Sequence, residues 1–132
     1  MLIATDPELA HVGMTETQAR ARHADAIRVL RWPFSQNDGA IATRRTEGFV
    51  KVVATRSGRI LGATVIGAHA GDLIYTWSLA VSAGLSVAQV AASIAPYPTF
   101  AETSQRAAQG HTQGRAQDGR VRSVLRLLPR LG

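Results

Sequence analysis

The 132-residue chain contains no cysteine. It can therefore hold no redox dithiol, disulphide or thiolate metal site of its own. Nor is there a Gly-x-Gly-x-x-Gly run, the turn that brings a dinucleotide pyrophosphate onto a helix N-terminus. Aromatic residues are scarce, at 5%, and no basic face interleaved with aromatics is visible in the body, so nucleic-acid binding is not expected. The four histidines, His11, His23, His69 and His111, show no metal-ligand spacing, and no metal is expected. Between Leu73 and Ala101 there is no charged residue. Length alone would let that stretch cross a membrane. Its interior argues against it: Thr76, Ser78, Ser82, Ser86, Gln89 and Ser93 are spread through it, and Gly84 interrupts it. The start of the chain has no basic segment before its apolar residues, so no secretory signal is read and the cytoplasm is the expected compartment.

What is present fits one compact domain. Hydrophobic residues make up 45%, a globular rather than disordered composition. The net charge of +6 is unevenly placed. Residues 1–104 hold nine Lys/Arg against eight Asp/Glu, whereas residues 105–132 hold six arginines against Asp118 alone. The basic character belongs to the tail. It bears on association and solubility, not on fold.

Along the chain, Met1 to Ala4 reads as a short strand. Thr15 and Gln18 have capping-box spacing, which predicts a helix over 16–23. Ala26 to Phe34 reads as a strand with Leu30, Trp32 and Phe34 on one face and Ile27 and Val29 on the other; Pro33 places its end at an edge or bulge. Residues 35–46 read as a polar connection. Phe49–Ala54 and Arg59–Ile66 flank Thr55-Arg56-Ser57-Gly58, a hairpin signal. Gly84 stands where a helix C-cap would fall, and Ser86 with Gln89 restarts a helix, so two helices are predicted, 70–83 and 86–94. The fold class is α+β: an antiparallel β-meander sheet covered on one face by helices. Helices uncharged nearly all round need cover on most sides. Leu73, Ile74, Trp77, Ala80 and Val81 can face the sheet, and a second copy of the chain in a two-fold dimer can cover the rest.

Three segments are expected: a domain over 1–109, a polar linker over 110–119 carrying a mobile His111, and a basic amphipathic tail over 120–132. In the tail Val121, Val124, Leu125 and Leu128 recur at helical spacing beside Arg120, Arg122, Arg126 and Arg130, a pattern suited to weak contact with a membrane surface or an acidic groove.

The most informative segment is Ile94-Ala95-Pro96-Tyr97-Pro98-Thr99-Phe100-Ala101-Glu102. Pro98 fixes its own φ and biases Tyr97 toward extended backbone, so the phenol is presented on a stiff turn. Thr99 and Glu102 have capping-box spacing. The plain readings are that Glu102 is a helix cap and Tyr97 an interface anchor with an apolar body and a polar tip.

This segment resembles the C-terminal motif of the FAD-dependent pyridine nucleotide-disulphide oxidoreductases, the glutathione, lipoamide and mercuric reductase family. There a His-Pro-Thr-x-x-Glu run enters the partner subunit's active site. Tyr97-Pro98-Thr99-x-x-Glu102 matches except at the histidine, and some mercuric-reductase-like branches also have tyrosine there. The substitution matters, because a phenol titrating near ~10 is a donor at neutral pH and a poor general base. Thr5–Gly13, Glu47–Lys51 with Arg59–Ala63, and Gly67–Ile74 are similar, in the family's order, to the opening run, central hairpin and first long helix of its dimerisation domain.

The resemblance implies a homodimerising domain that contributes Tyr97 and Glu102 to a partner's redox site, with Pro96, Tyr97 and Pro98 beside the partner's flavin. FAD and NAD(P) would belong to the complete enzyme and bind to domains on another chain or missing from this one. No cofactor is expected on this chain alone, which would be inactive by itself. The other reading is a stand-alone, non-catalytic homodimeric interaction module, membrane-peripheral through its basic tail.

Overall fold

The computed structural model of the chain describes residues 1–117, with side chains to residue 113. Five strands, β1 (Leu2–Ile3), β2 (Leu9–Gly13), β3 (Ile27–Pro33), β4 (Gly48–Thr55) and β5 (Ile60–Gly67), form one antiparallel sheet in the order β1-β2-β5-β4-β3. Five α-helices accompany them: α1 (Glu16–His23), α2 (Asp38–Ala42), α3 (Ala70–Ala83), α4 (Val87–Ala92) and α5 (Ala101–Gln117). The chain adopts the expected α+β class, with β3, β4 and β5 as the antiparallel meander under helices and β2 paired to the far side of β5.

Alternation along the strands sets the two faces. Leu30, Val50, Val52, Ala54, Ala63 and Val65 point to one side, where they meet Leu73, Trp77 and Ala80 of α3, Val87 and Val90 of α4, and Ala107 and Ala108 of α5. Trp32 and Phe34 join this side, while Ile27 and Val29 turn to the other, as their spacing predicts. The other face is not bare. Ala19 of α1 packs there with Ile27, Val53 and Leu61 in a smaller cluster. Trp77 is fully buried, and burying a side chain of this class stabilises the fold by about 2–3 kcal/mol. Its indole Nε1 donates to Ser104 Oγ at 3.0 Å, which ties α3 to α5.

Local signals set most boundaries. Thr15 and Gln18 form a complete capping box at α1, and Ser86 and Gln89 form another at α4. Gly84 ends α3 in the left-handed region at φ 67°, the conformation glycine adopts at least cost.

Two expectations need correction. Residues 35–46 are not merely a polar connection: a 3₁₀ turn over Phe34–Gln36 leads into α2, with Asn37, Gly39 and Ala40 buried. Nor is the segment from 110 a linker as far as Gln117, because α5 continues that far. His111, expected to be mobile, is buried at 2% exposure. The physical reason is that Ala107, Ala108, Gly110 and His111 share the inward face of α5. The small side chains of the first two and the bare Gly110 let the helix lie against β3 and β4, and the His111 ring reaches Gly58 in the β4–β5 turn. The basic tail over 120–132 lies outside the described residues. Among the described residues no helix is long and apolar enough to cross a membrane.

Candidate functional site

The turn between α4 and α5 is held from behind by the segment that carries α2. Asn37 does two jobs. Its Oδ1 accepts from the Ala40 amide at 2.8 Å and caps α2, while its Nδ2 donates to the Thr99 carbonyl at 2.9 Å. Gly39 lets the two backbones come this close, since a Cβ there would lie 3.0 Å from the Thr99 carbonyl carbon. Phe100 packs edge-on against Phe34, with ring centroids 5.4 Å apart, and against His69 at 4.9 Å. Gln105 reaches back from α5 to the Ser93 carbonyl.

With its inner side fixed, the turn leaves its outer side open. Ile94 is 96% exposed and Tyr97 70%, and Pro96 and Pro98 are exposed as well. The Tyr97 hydroxyl donates to Asp38 Oδ2 at 2.7 Å. That bond, together with the negative charge of Asp38 and then of Glu102, holds the phenol above its ordinary pKa of 10.0. Glu102 is half-buried on the first turn of α5 and shares with Tyr97 and Asp38 a cleft of about 340 Å³. Trp32, Gln36, Asn37 and Arg106 complete its lining. The Trp32 indole Nε1 is buried there without a hydrogen-bond partner among the described residues.

The structure thus brings Tyr97 and Glu102 to one cleft, with Pro96 and Pro98 flanking the phenol. The capping box expected of Thr99 and Glu102 is not formed. Helix α5 begins at Ala101, which places Phe100 rather than Thr99 at its flank, and the Thr99 hydroxyl donates to the Pro96 carbonyl instead. Sequence reasoning missed Asn37, Asp38 and Trp32. The Asn37-Asp38-Gly39 run carries a turn signal, and its one clue to more was the apolar Ala40-Ile41-Ala42 that follows and makes Asn37 a helix cap.

A second exposed feature lies along α3. Its inward side carries Leu73, Trp77 and Ala80, whereas Tyr75 and Leu79 face outward at 68% and 54% exposure.

Comparison with known proteins agrees with this architecture. Residues 1–108 match the family described as pyridine nucleotide-disulphide oxidoreductase, dimerisation domain. The dihydrolipoyl dehydrogenase of Bacillus subtilis is 35% identical over 109 residues, covering 82% of this chain and 23% of that protein. The dihydrolipoyl dehydrogenase of Halobacterium salinarum is 38% identical over 115 residues, covering 86% and 24%. Among solved structures, LpdA of Mycobacterium tuberculosis superposes with a TM-score of 0.76 at 30% identity over 83% of this chain and 24% of that one. The flavoprotein disulfide reductase RclA of Escherichia coli gives 0.77 at 27% identity, over 83% and 25%. The chain therefore spans about a quarter of the length of these relatives. On the match across residues 1–108 and the shared fold, the chain belongs to the pyridine nucleotide-disulphide oxidoreductase dimerisation-domain family.

Proposed function

We propose that this domain pairs with a second copy and completes a redox site on the partner subunit of an FAD- and NAD(P)-dependent disulphide reductase of the cytoplasm. In this role Tyr97 and Glu102 serve the partner's site, and the chain is not catalytically complete alone. The observation that carries the reading is the 94–100 turn, rigid on its inner side and uncharged and exposed on its outer side. Immobilised backbone with a projecting phenol suits a second protein surface better than solvent, because little ordering entropy remains to be lost on contact.

Pro96, Tyr97 and Pro98 suit the edge of a flat ring system supplied by the partner, since all three are exposed and none carries charge. The flavin would supply electron transfer between the nicotinamide and a disulphide. This chain's own contribution is to orient a phenol and exclude water. The outward face of α3, with Tyr75 and Leu79, would take up the apolar contact between copies.

The test is co-expression with the FAD- and NAD(P)-binding domains, followed by measurement of flavin retention and NAD(P)H oxidation. Tyr97→Phe is expected to keep the flavin and lower the oxidation rate. An unchanged rate confines Tyr97 to packing.

The exposed Tyr75 and Leu79 on the outer side of α3 also fit a second reading, a stand-alone homodimeric interaction module that does no chemistry. Its membrane-peripheral form rests on the 120–132 tail. Neighbouring reading frames that encode the FAD and NAD(P) domains would favour the first reading.

A further inference from the structure

We infer that Asp38 is the positioning residue for Tyr97, so that the phenol meets a partner as a fixed hydrogen-bond acceptor rather than a proton donor. The inference rests on the reading of Tyr97 above. By resemblance a glutamate at the position of Glu102 would orient a histidine at 97, but here the hydroxyl bonds across the cleft to Asp38 Oδ2 at 2.7 Å. Asp38 stands in the first turn of α2, and Asn37 immediately before it clamps the Thr99 carbonyl. Both partners of the pair are thus fixed by one anchor, 59 residues apart in sequence.

The charged groups facing the phenol are Asp38 from α2 and Glu102 and Arg106 from α5. Arg106 turns to Gln109 of its own helix, with Nη1 3.5 Å from Oε1. The carboxylate of Asp38 is therefore the group that takes the phenol proton into a hydrogen bond. A carboxylate accepting an O–H favours the neutral phenol over the phenolate. With its proton directed inward, Tyr97 offers its oxygen lone pairs outward. The matching chemistry on the partner is a donor: a thiol S–H, a backbone amide or a ring N–H. No bond is made or broken in this role.

The experiment is an NMR titration of the full chain carrying 13Cζ-labelled tyrosine, with the Tyr97 signal assigned by its loss in Tyr97→Phe. Asp38 and Tyr97 are both exposed, so the substitutions remove no core packing, and far-UV circular dichroism checks that each variant keeps its fold. Asp38→Asn is expected to lower the Tyr97 midpoint toward about 10, and by more than Glu102→Gln does. Asp38→Glu, which keeps the charge, is expected to hold the midpoint above that of Asp38→Asn. An unchanged midpoint in Asp38→Asn, or a larger fall in Glu102→Gln, overturns the assignment. The two readings fail separately. A missing titration difference rejects the pairing while flavin retention and turnover in the co-expressed enzyme still stand as evidence on the domain. A turnover indifferent to Tyr97→Phe rejects the domain's catalytic contribution and leaves the pairing intact.

Discussion

At the scale of single residues, what a neighbour can or cannot concede decides the cost of a change. Gly62 in β5 sits against the backbone of Met14, and a Cβ there would fall on the Met14 carbonyl oxygen. The Met14 amide is held by the Leu61 carbonyl at 2.9 Å and Gly62 itself is paired on both sides. Neither backbone can readily swing aside, so Gly62→Ala is expected to cost about 2–4 kcal/mol. Gly84→Ala meets nothing within 4 Å and is strained only by its φ of 67°, which costs about 1 kcal/mol. Urea unfolding of the two variants checks the order, and a Gly84→Ala loss as large as that of Gly62→Ala would contradict it. Ser104→Ala strands the buried Trp77 Nε1 and is expected to cost about 1–3 kcal/mol on the same assay.

Tyr97 has a pH signature of its own. Its folded pKa is raised, so whatever the Asp38 bond contributes is complete below about 10 and is lost as pH climbs through the raised value. Asp38 was not legible beforehand. A sequence shows that Asn-Asp-Gly turns, but not that the turn folds back on a phenol 59 residues away.

At the scale of elements, the signals that act within four residues were legible and those that depend on long-range packing were not. The Thr15/Gln18 and Ser86/Gln89 capping boxes, the Gly84 cap and the β4–β5 hairpin all formed where spacing put them. The Thr99/Glu102 spacing was equally good, yet docking of the turn on Asn37 and Phe34 set the start of α5 at Ala101. Ser86→Ala should therefore lower stability by about 1 kcal/mol, whereas Thr99→Ala removes no helix cap and should cost less. Thermal melts of both variants test this, and equal losses would count against the assignment.

A second element-scale effect holds α1 on the sheet. Glu16 contacts Lys51 of β4 at 2.5 Å and Arg20 of α1 at 3.0 Å. Hydrogen bonds from Lys51 first and Arg20 second hold its carboxyl below the ordinary 4.5. A depressed acid stabilises above its unfolded pKa and loses that stability as pH falls through the folded value. Glu16→Gln should thus flatten the decline of stability below pH 4.5, measured by urea unfolding across acid pH. An unaltered slope would show that the ion pair is solvent-screened to nothing.

At the scale of the whole molecule, β3, β4, β5 and the two central helices were legible because their apolar residues recur with clean periods. Strand β2, whose Leu9–Gly13 run is short and carries His11, was not read as a strand. The path of α5 was not legible either. Its glutamines and threonine suggest a solvated linker, while Ala107, Ala108 and His111, the residues that turn inward, are small or polar. A helix can close over a sheet with little hydrophobicity when small side chains allow close approach, and composition alone conceals that. Beyond Asp72 in its first turn, the outer side of α3 carries no charge, and Tyr75 and Leu79 stand out from it uncovered by the described residues. An interface between copies would bury both, and Leu79→Asp with Tyr75→Asp should leave the fold intact and separate the copies.

Multi-angle light scattering of the full chain at high concentration asks most directly whether the domain pairs. Two copies give a mass near twice 14.1 kDa, falling to that of one chain in the Tyr75/Leu79 double variant. A single-chain mass for the unmodified protein at every concentration would contradict the account at its root.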